Sequence, residues 1–129
     1  MSVEEYETVY QLVSVIEGDV SPSGRRIDAL ARSLPPGSMT GAPKKRSCEL
    51  LRDIESGRAR GLYSGVLGYL DVGGGADFSV VIRTAFKWDD EGVWRVGAGG
   101  AVTALSQPLA EFEEMLAKRE SVLDVLLAS

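Results

Sequence analysis

The feature that most restricts the fold is a change of hydrophobic period at Gly61. Before it, Ile27, Leu30, Ala31 and Leu34, and then Cys48, Leu50, Leu51 and Ile54, recur at helical spacing. After it come three extended runs, LYSGVLGYLDV, DFSVVIRTAFKW and VWRVGAGGAVTAL, separated by Gly73-Gly74-Gly75 and by Asp89-Asp90-Glu91-Gly92. Runs of this kind joined by tight connections predict an antiparallel β-meander. The helical period then returns from Pro108 to Leu127, with Phe112, Met115, Leu116, Val122, Leu123, Leu126 and Leu127 within one broad face. Nearer the start, residues 9–17 (VYQLVSVIE) read as a strand closed by Gly18-Asp19, and Ser21-Pro22-Ser23-Gly24 as a loop. The expected class is therefore α+β, an antiparallel meander with packed helices. At 129 residues one domain is expected.

Between the two early helices lies PPGSMTGAPKKRS, residues 35–47. Its prolines fix an extended approach, Gly37 and Gly41 permit backbone conformations other residues avoid, and Pro43 suits a helix start. Free N–H groups at that start, beside Ser38, Thr40 and Lys44, suit a carboxylate or phosphate. Equally, Thr40 can serve as a plain helix cap with the cations solvated.

A formal charge of −5 leaves no broad basic face for nucleic acid, so Lys44, Lys45 and Arg46 are a local feature. No run is long enough to span a bilayer, and the acidic first residues, Glu4, Glu5 and Glu7, do not resemble a cleaved signal, so a cytoplasmic location is expected. The lone Cys48 has no internal disulfide partner. With no histidine in the chain, carboxylates, lysine, tyrosine and hydroxyls must carry any proton transfer.

Three oddities mark where chemistry can sit. Gly65, Gly68 and the run from Gly97 to Gly100 fall inside strand patterns, where glycine signals a bulge or a backbone approached by a ligand. Arg83 interrupts an apolar run, and an arginine there must either reach solvent or hold an anion. On the last helix, Glu111, Glu114 and Lys118 fall on one arc bordering the apolar stripe. An ordinary surface pair between Glu114 and Lys118 is the simpler account of two of them.

In this order, PPGSMTGAPKKRS, RGLYSGVLGYL with Arg60 just ahead of Gly61, DFSVVIRTAF, GAGGAVTALS and EFEEMLAK resemble the C-terminal part of the chorismate-utilising enzymes. That family includes anthranilate synthase component I, isochorismate synthase, salicylate synthase and the aminodeoxychorismate synthases. GSMTGAPKKRS and GAGGAVTALS look most like the eukaryotic members of the last group. The resemblance runs from about Val3 to Leu127 and implies part of the family's large α+β domain, a single incomplete domain over residues 1–129.

It also implies a site. Matched position by position, Glu114 and Glu111 fall on the metal carboxylates of the final helix, with Mg²⁺ the implied cofactor, and such a pair suits a hard cation with retained waters. Thr40 and Gly41 fall on the pocket wall, Tyr63 and Arg83 on substrate-contacting positions, and Gly99, Gly100 and Ala101 on the glycine-rich substrate segment. Lys118 falls near the substrate carboxylate; with Thr40 it is the candidate catalytic residue. Ala101 stands where many members have glycine, and Gln11 in VYQLVS stands where many have histidine, a residue that can trade protons as glutamine cannot. The family's second magnesium glutamate, its acid/base glutamate and the lysine nucleophile of its aminodeoxychorismate synthases have no counterpart in these residues.

The implied activity is amination of chorismate to 4-amino-4-deoxychorismate for para-aminobenzoate and folate, with ammonia from a glutamine amidotransferase domain or subunit. The chain alone is expected to be inactive. Open alternatives are the anthranilate synthase reaction, a non-catalytic homologue that binds chorismate-like dicarboxylates or a partner synthase, and a remnant whose exposed sheet edges drive self-association.

Overall fold

A computed structural model describes residues 1–21 and 24–128, in two compact units divided between Ser33 and Leu34. Pro22 and Ser23, expected in a loop, lie outside the described residues.

In the first unit β1 (Ser2–Glu5) pairs antiparallel with β2 (Tyr10–Val13), with Ser2 opposite Val13 and Glu5 opposite Tyr10. The turn closes through the Tyr6 N–H on the Val9 carbonyl at 2.9 Å. The expected strand is thus real but shorter, and Gln11 within it faces Glu4 across the ladder. The helix α1 (Arg26–Ser33) follows.

The second unit opens with a single helical turn, α2 (Gly37–Thr40), and then α3 (Lys44–Ile54), whose N-cap position is Pro43. Thr40 does not cap α3: its hydroxyl turns back to the Pro36 carbonyl at 3.2 Å. The C-terminus of α3 is a two-bond lock. Gly57 N–H reaches the Arg52 carbonyl at 2.8 Å and Ser56 N–H the Asp53 carbonyl at 3.1 Å, with Ser56 left-handed at φ 55°.

The predicted meander resolves into two separate hairpins. In the first, β3 (Val66–Leu70) pairs with β4 (Ala76–Val80) around a turn in which Asp71 N–H bonds the Gly75 carbonyl. In the second, β5 (Ala85–Lys87) pairs with β6 (Trp94–Val96). The run DFSVVIRTAFKW, expected as one strand, breaks between them. The Val81 N–H makes the last in-register bond, to the Gly65 carbonyl at 2.9 Å; Ile82 N–H then bonds back to Val80, and Arg83 adopts a left-handed φ of 50°. The long helix α4 (Pro108–Leu127) spans the predicted range, with Pro108 in its first turn, and packs against β6.

The core is thin. Among the described residues, Val81 is the one buried hydrophobic side chain and Ser64 the one buried polar residue. Many apolar side chains that strand and helix patterns would place inside, among them Leu67, Tyr69, Phe112 and Val125, are exposed.

Candidate functional site

The site is built on α4. Glu111, Glu114, Lys118 and Ser121 are spaced three, four and three residues apart, so they form one stripe along the helix. Lys118, half-buried, pairs with Glu114 and also donates to the Gly99 carbonyl at 3.4 Å. It therefore fastens the glycine-rich segment after β6 to the helix.

That segment is glycine because of Tyr63. A Cβ on Gly97 would overlap the Tyr63 ring, and one on Gly99 would stand 2.9 Å from its hydroxyl. The phenol lies across bare backbone, which only glycine leaves open. Gly100 meets the helix from the other side, with its absent Cβ 3.0 Å from Glu111 Oε2. The cleft here has a volume of about 290 Å³ and is walled by Gly100, Val102, Pro108, Glu111, Phe112 and Met115. Ala101 has its carbonyl held by the Ser106 hydroxyl at 3.2 Å.

Arg83 reaches the same stripe from the break between hairpins. Its Nη1 donates to the Ser121 hydroxyl at 3.0 Å, and that hydroxyl donates to the Lys118 carbonyl at 2.9 Å. A left-handed backbone at a residue with a Cβ costs roughly 1–2 kcal/mol, and such strain concentrates where a side chain must be aimed.

Electrostatics agree with the geometry. The Lys118 hydrogen bond, with the charges of Lys118 and Arg83, holds the Glu114 carboxyl below the usual carboxylate range. Among the described residues no group of three or more His, Cys, Asp and Glu is gathered as a metal cage, so Glu111 and Glu114 stand as a pair on consecutive turns.

Contacts link Tyr63, Gly99, Gly100, Glu111, Glu114 and Lys118, whereas Arg83 meets α4 further along, at Ser121, and lines a separate hollow with Ala85, Val122, Val125 and Leu126. Thr40 and Gly41 connect less directly. The carbonyl of Met39 accepts from Arg60 at 3.0 Å, and Arg60 also donates to Ser64, the neighbour of Tyr63, at 2.7 Å. Ser121, Ser64 and the Arg60–Glu55 pair were not singled out from the sequence as site residues. Ser121 was findable, lying three residues past Lys118 on the same arc; the others depend on contacts between distant segments.

A sequence profile of the chorismate binding enzymes matches residues 1–124. The chain belongs to this family. Over 98% of its length it is 49% identical to the aminodeoxychorismate synthase of Saccharomyces cerevisiae, and 44% identical to the chloroplastic aminodeoxychorismate synthase of Arabidopsis thaliana. It is 41% identical, also over 98%, to anthranilate synthase component 1 of Mycolicibacterium smegmatis. The chain spans 18%, 14% and 24% of those relatives' lengths. No solved structure matches it. Among the described residues no helix is long and apolar enough to cross a membrane.

Proposed function

We propose that the stripe on α4 and the groups facing it are one side of a chorismate site, in an enzyme that aminates chorismate to 4-amino-4-deoxychorismate. The observation that carries this reading is the Lys118 ammonium set between the Glu114 carboxylate and the Gly99 carbonyl, with the Tyr63 phenol on that glycine backbone and Arg83 held further along the same helix by Ser121. Chorismate offers two carboxylates on a small apolar ring. A guanidinium supplies a planar fork for one of them, and a glycine backbone lets the ring approach closely.

Glu111 and Glu114 fit part of a magnesium shell. Mg²⁺ is commonly held by one or two carboxylates, substrate oxygens and waters, and both side chains project from one face of α4. Bound there, the ion would take a substrate carboxylate and offset its charge. Glu114, paired with Lys118 in the structure, would hold the cation together with Glu111, leaving the ammonium to face the substrate. Tyr63 and Thr40 offer hydroxyls to the ring substituents. In the reaction ammonia adds to the ring as the hydroxyl departs as water, and the ammonia comes from a glutamine amidotransferase domain or subunit.

The choice of amination over the anthranilate reaction rests on the higher identity to the two aminodeoxychorismate synthases. These 129 residues contain one part of the catalytic set, so negligible turnover is expected from them alone. Cytoplasmic placement goes with this reading; the Arabidopsis relative is named chloroplastic.

Calorimetry with chorismate and Mg²⁺ tests the proposal. Heat from the wild-type chain that disappears in Glu114→Ala supports it. No heat, or equal heat from both, sinks it.

A further inference from the structure

Arg60 has no role in the reading above, yet its guanidinium joins three segments of the second unit. Nε and Nη2 fork onto the Glu55 carboxylate at the end of α3, with Nε 2.9 Å from Oε2. Nη1 donates to the Met39 carbonyl at 3.0 Å and to the Ser64 hydroxyl at 2.7 Å. Met39 precedes Thr40, and Ser64 follows Tyr63. Each of these acceptors is therefore one residue from a group that faces the proposed substrate.

Neither neighbour would hold its place unaided. Residues 37–41 form one turn whose own bonds are local, Met39 N–H to Pro36 and Gly41 N–H to Gly37, with no side-chain cap and with Gly41 at φ 97°. Ser64 is 8% exposed and sits at φ 76°, a conformation costly for a serine, with its N–H on the Val81 carbonyl at 3.1 Å. Four of the five guanidinium donors are engaged, in a plane that Glu55 fixes from behind. A lysine offers a compact charge and cannot span the same three acceptors in one geometry.

We infer that Arg60 is a positioning residue: it clamps residues 39–41 to the turn carrying Tyr63 and Ser64, holding the Thr40 backbone and the Tyr63 phenol in fixed register. What that register serves rests on the chorismate reading; the clamp itself does not.

Hydrogen exchange of the full chain tests the clamp. In Arg60→Met the amides of Met39, Gly41 and Ser64 should exchange about tenfold faster while β5, β6 and α4 keep wild-type rates. Arg60→Lys should behave like Arg60→Met. Glu55→Gln, which leaves the Met39 and Ser64 bonds in place, should give a smaller rise of about threefold. Unchanged rates at these amides, wild-type rates in Arg60→Lys, or a uniform rise across the whole chain each overturn the inference.

A second arm separates the clamp from the site. Arg60→Met should weaken chorismate binding about tenfold and leave Mg²⁺ affinity unchanged, because Glu111 and Glu114 are held by α4. Equal chorismate affinity in both proteins overturns the positioning role. A wild-type chain that binds no chorismate removes the proposed function, and the exchange rates then judge the clamp alone.

Discussion

Arg83 donates to the Ser121 hydroxyl at 3.0 Å, a bond that spans 38 residues and brings an arginine from the break between two hairpins to the polar stripe of a helix. Ser121 in turn donates to the carbonyl of Lys118. One hydroxyl therefore sets the direction of one proposed carboxylate-binding cation and is fixed to the backbone of the other. Ser121→Ala should cost the fold less than about 0.5 kcal/mol, since both side chains are exposed. It should weaken chorismate binding about three- to tenfold, the loss of part of one charge-assisted bond, with Ser121→Thr close to wild type. Calorimetry of the three proteins checks it; unchanged affinity in Ser121→Ala would remove the aiming role.

The glycines after β6 differ in what they tolerate. At Gly97 a methyl group meets the Tyr63 ring, which has backbone behind it, so Gly97→Ala should destabilise the chain by about 1–3 kcal/mol and displace the phenol. At Gly100 the nearest atom is the end of the Glu111 side chain, which can swing away, and the Glu111 carbonyl at 3.3 Å needs only a small shift, so Gly100→Ala should cost less, about 1 kcal/mol. Urea titration ranks the two, and the reverse order would show that Tyr63 does not lie where the site needs it.

The parts of this arrangement legible in the sequence are those governed by local period. The helix α4 was readable end to end because twenty residues keep one apolar face behind an N-terminal proline. The stripe of Glu111, Glu114 and Lys118 followed from spacing alone. The break at Arg83 did not, because Val80, Val81 and Ile82 all favour strand, whereas Ile82 N–H turns back to the Val80 carbonyl and Arg83 reaches the distant Ser121 hydroxyl. β1 was hidden for the opposite reason. Glu4 and Glu5 are poor strand formers, and the Tyr10 hydroxyl that bonds the Glu5 carboxylate belongs to the pairing rather than to any local pattern. Arg60 and Glu55 are five residues apart across a helix end, a spacing that carries no helical signal.

The Glu55–Arg60 pair makes stability depend on acid. The Arg60 hydrogen bonds, above all other causes, hold the Glu55 carboxyl below its ordinary value. A carboxyl lowered on folding contributes stability above its unfolded pKa of about 4.3, and loses it as pH falls through the folded value. Arg60 is raised by the same bonds but stays charged throughout, so it adds no slope. Wild type should exceed Glu55→Gln by about 1 kcal/mol at neutral pH, a figure reduced for partial exposure. The gap should close in urea titrations carried well below the unfolded value. A gap that persists in acid would mean that Glu55 stabilises by packing alone.

Exposed apolar strands make the chain prone to associate. Leu67 and Tyr69 in β3 are 69% and 62% exposed, and β3 pairs with one neighbour, β4, among the described strands. An open edge with apolar faces recruits further strands. Sedimentation should show concentration-dependent association that Leu67→Lys and Tyr69→Lys together suppress. A sharp monomer with cooperative melting would show that the hairpin is covered in solution.

In the proposed site Lys118 and a metal ion would compete for Glu114. In the ion-free chain the ammonium occupies that carboxylate and, with Arg83, lowers its proton affinity, which keeps it charged and ready for a cation. The same ammonium repels that cation. Removing it leaves Glu111 and Glu114 with less positive charge to displace, so Lys118→Met should bind Mg²⁺ about two- to fivefold more tightly in the absence of substrate. Chorismate binding should move the other way and weaken about tenfold, since one of two cations facing its carboxylates is gone. Glu114→Gln should weaken both ligands. Magnesium titration of the three chains, with and without chorismate, reads these signs directly. If Lys118→Met bound Mg²⁺ more weakly than wild type, the lysine would be supporting the carboxylate rather than competing for it, and the exchange that the proposed site requires would not operate.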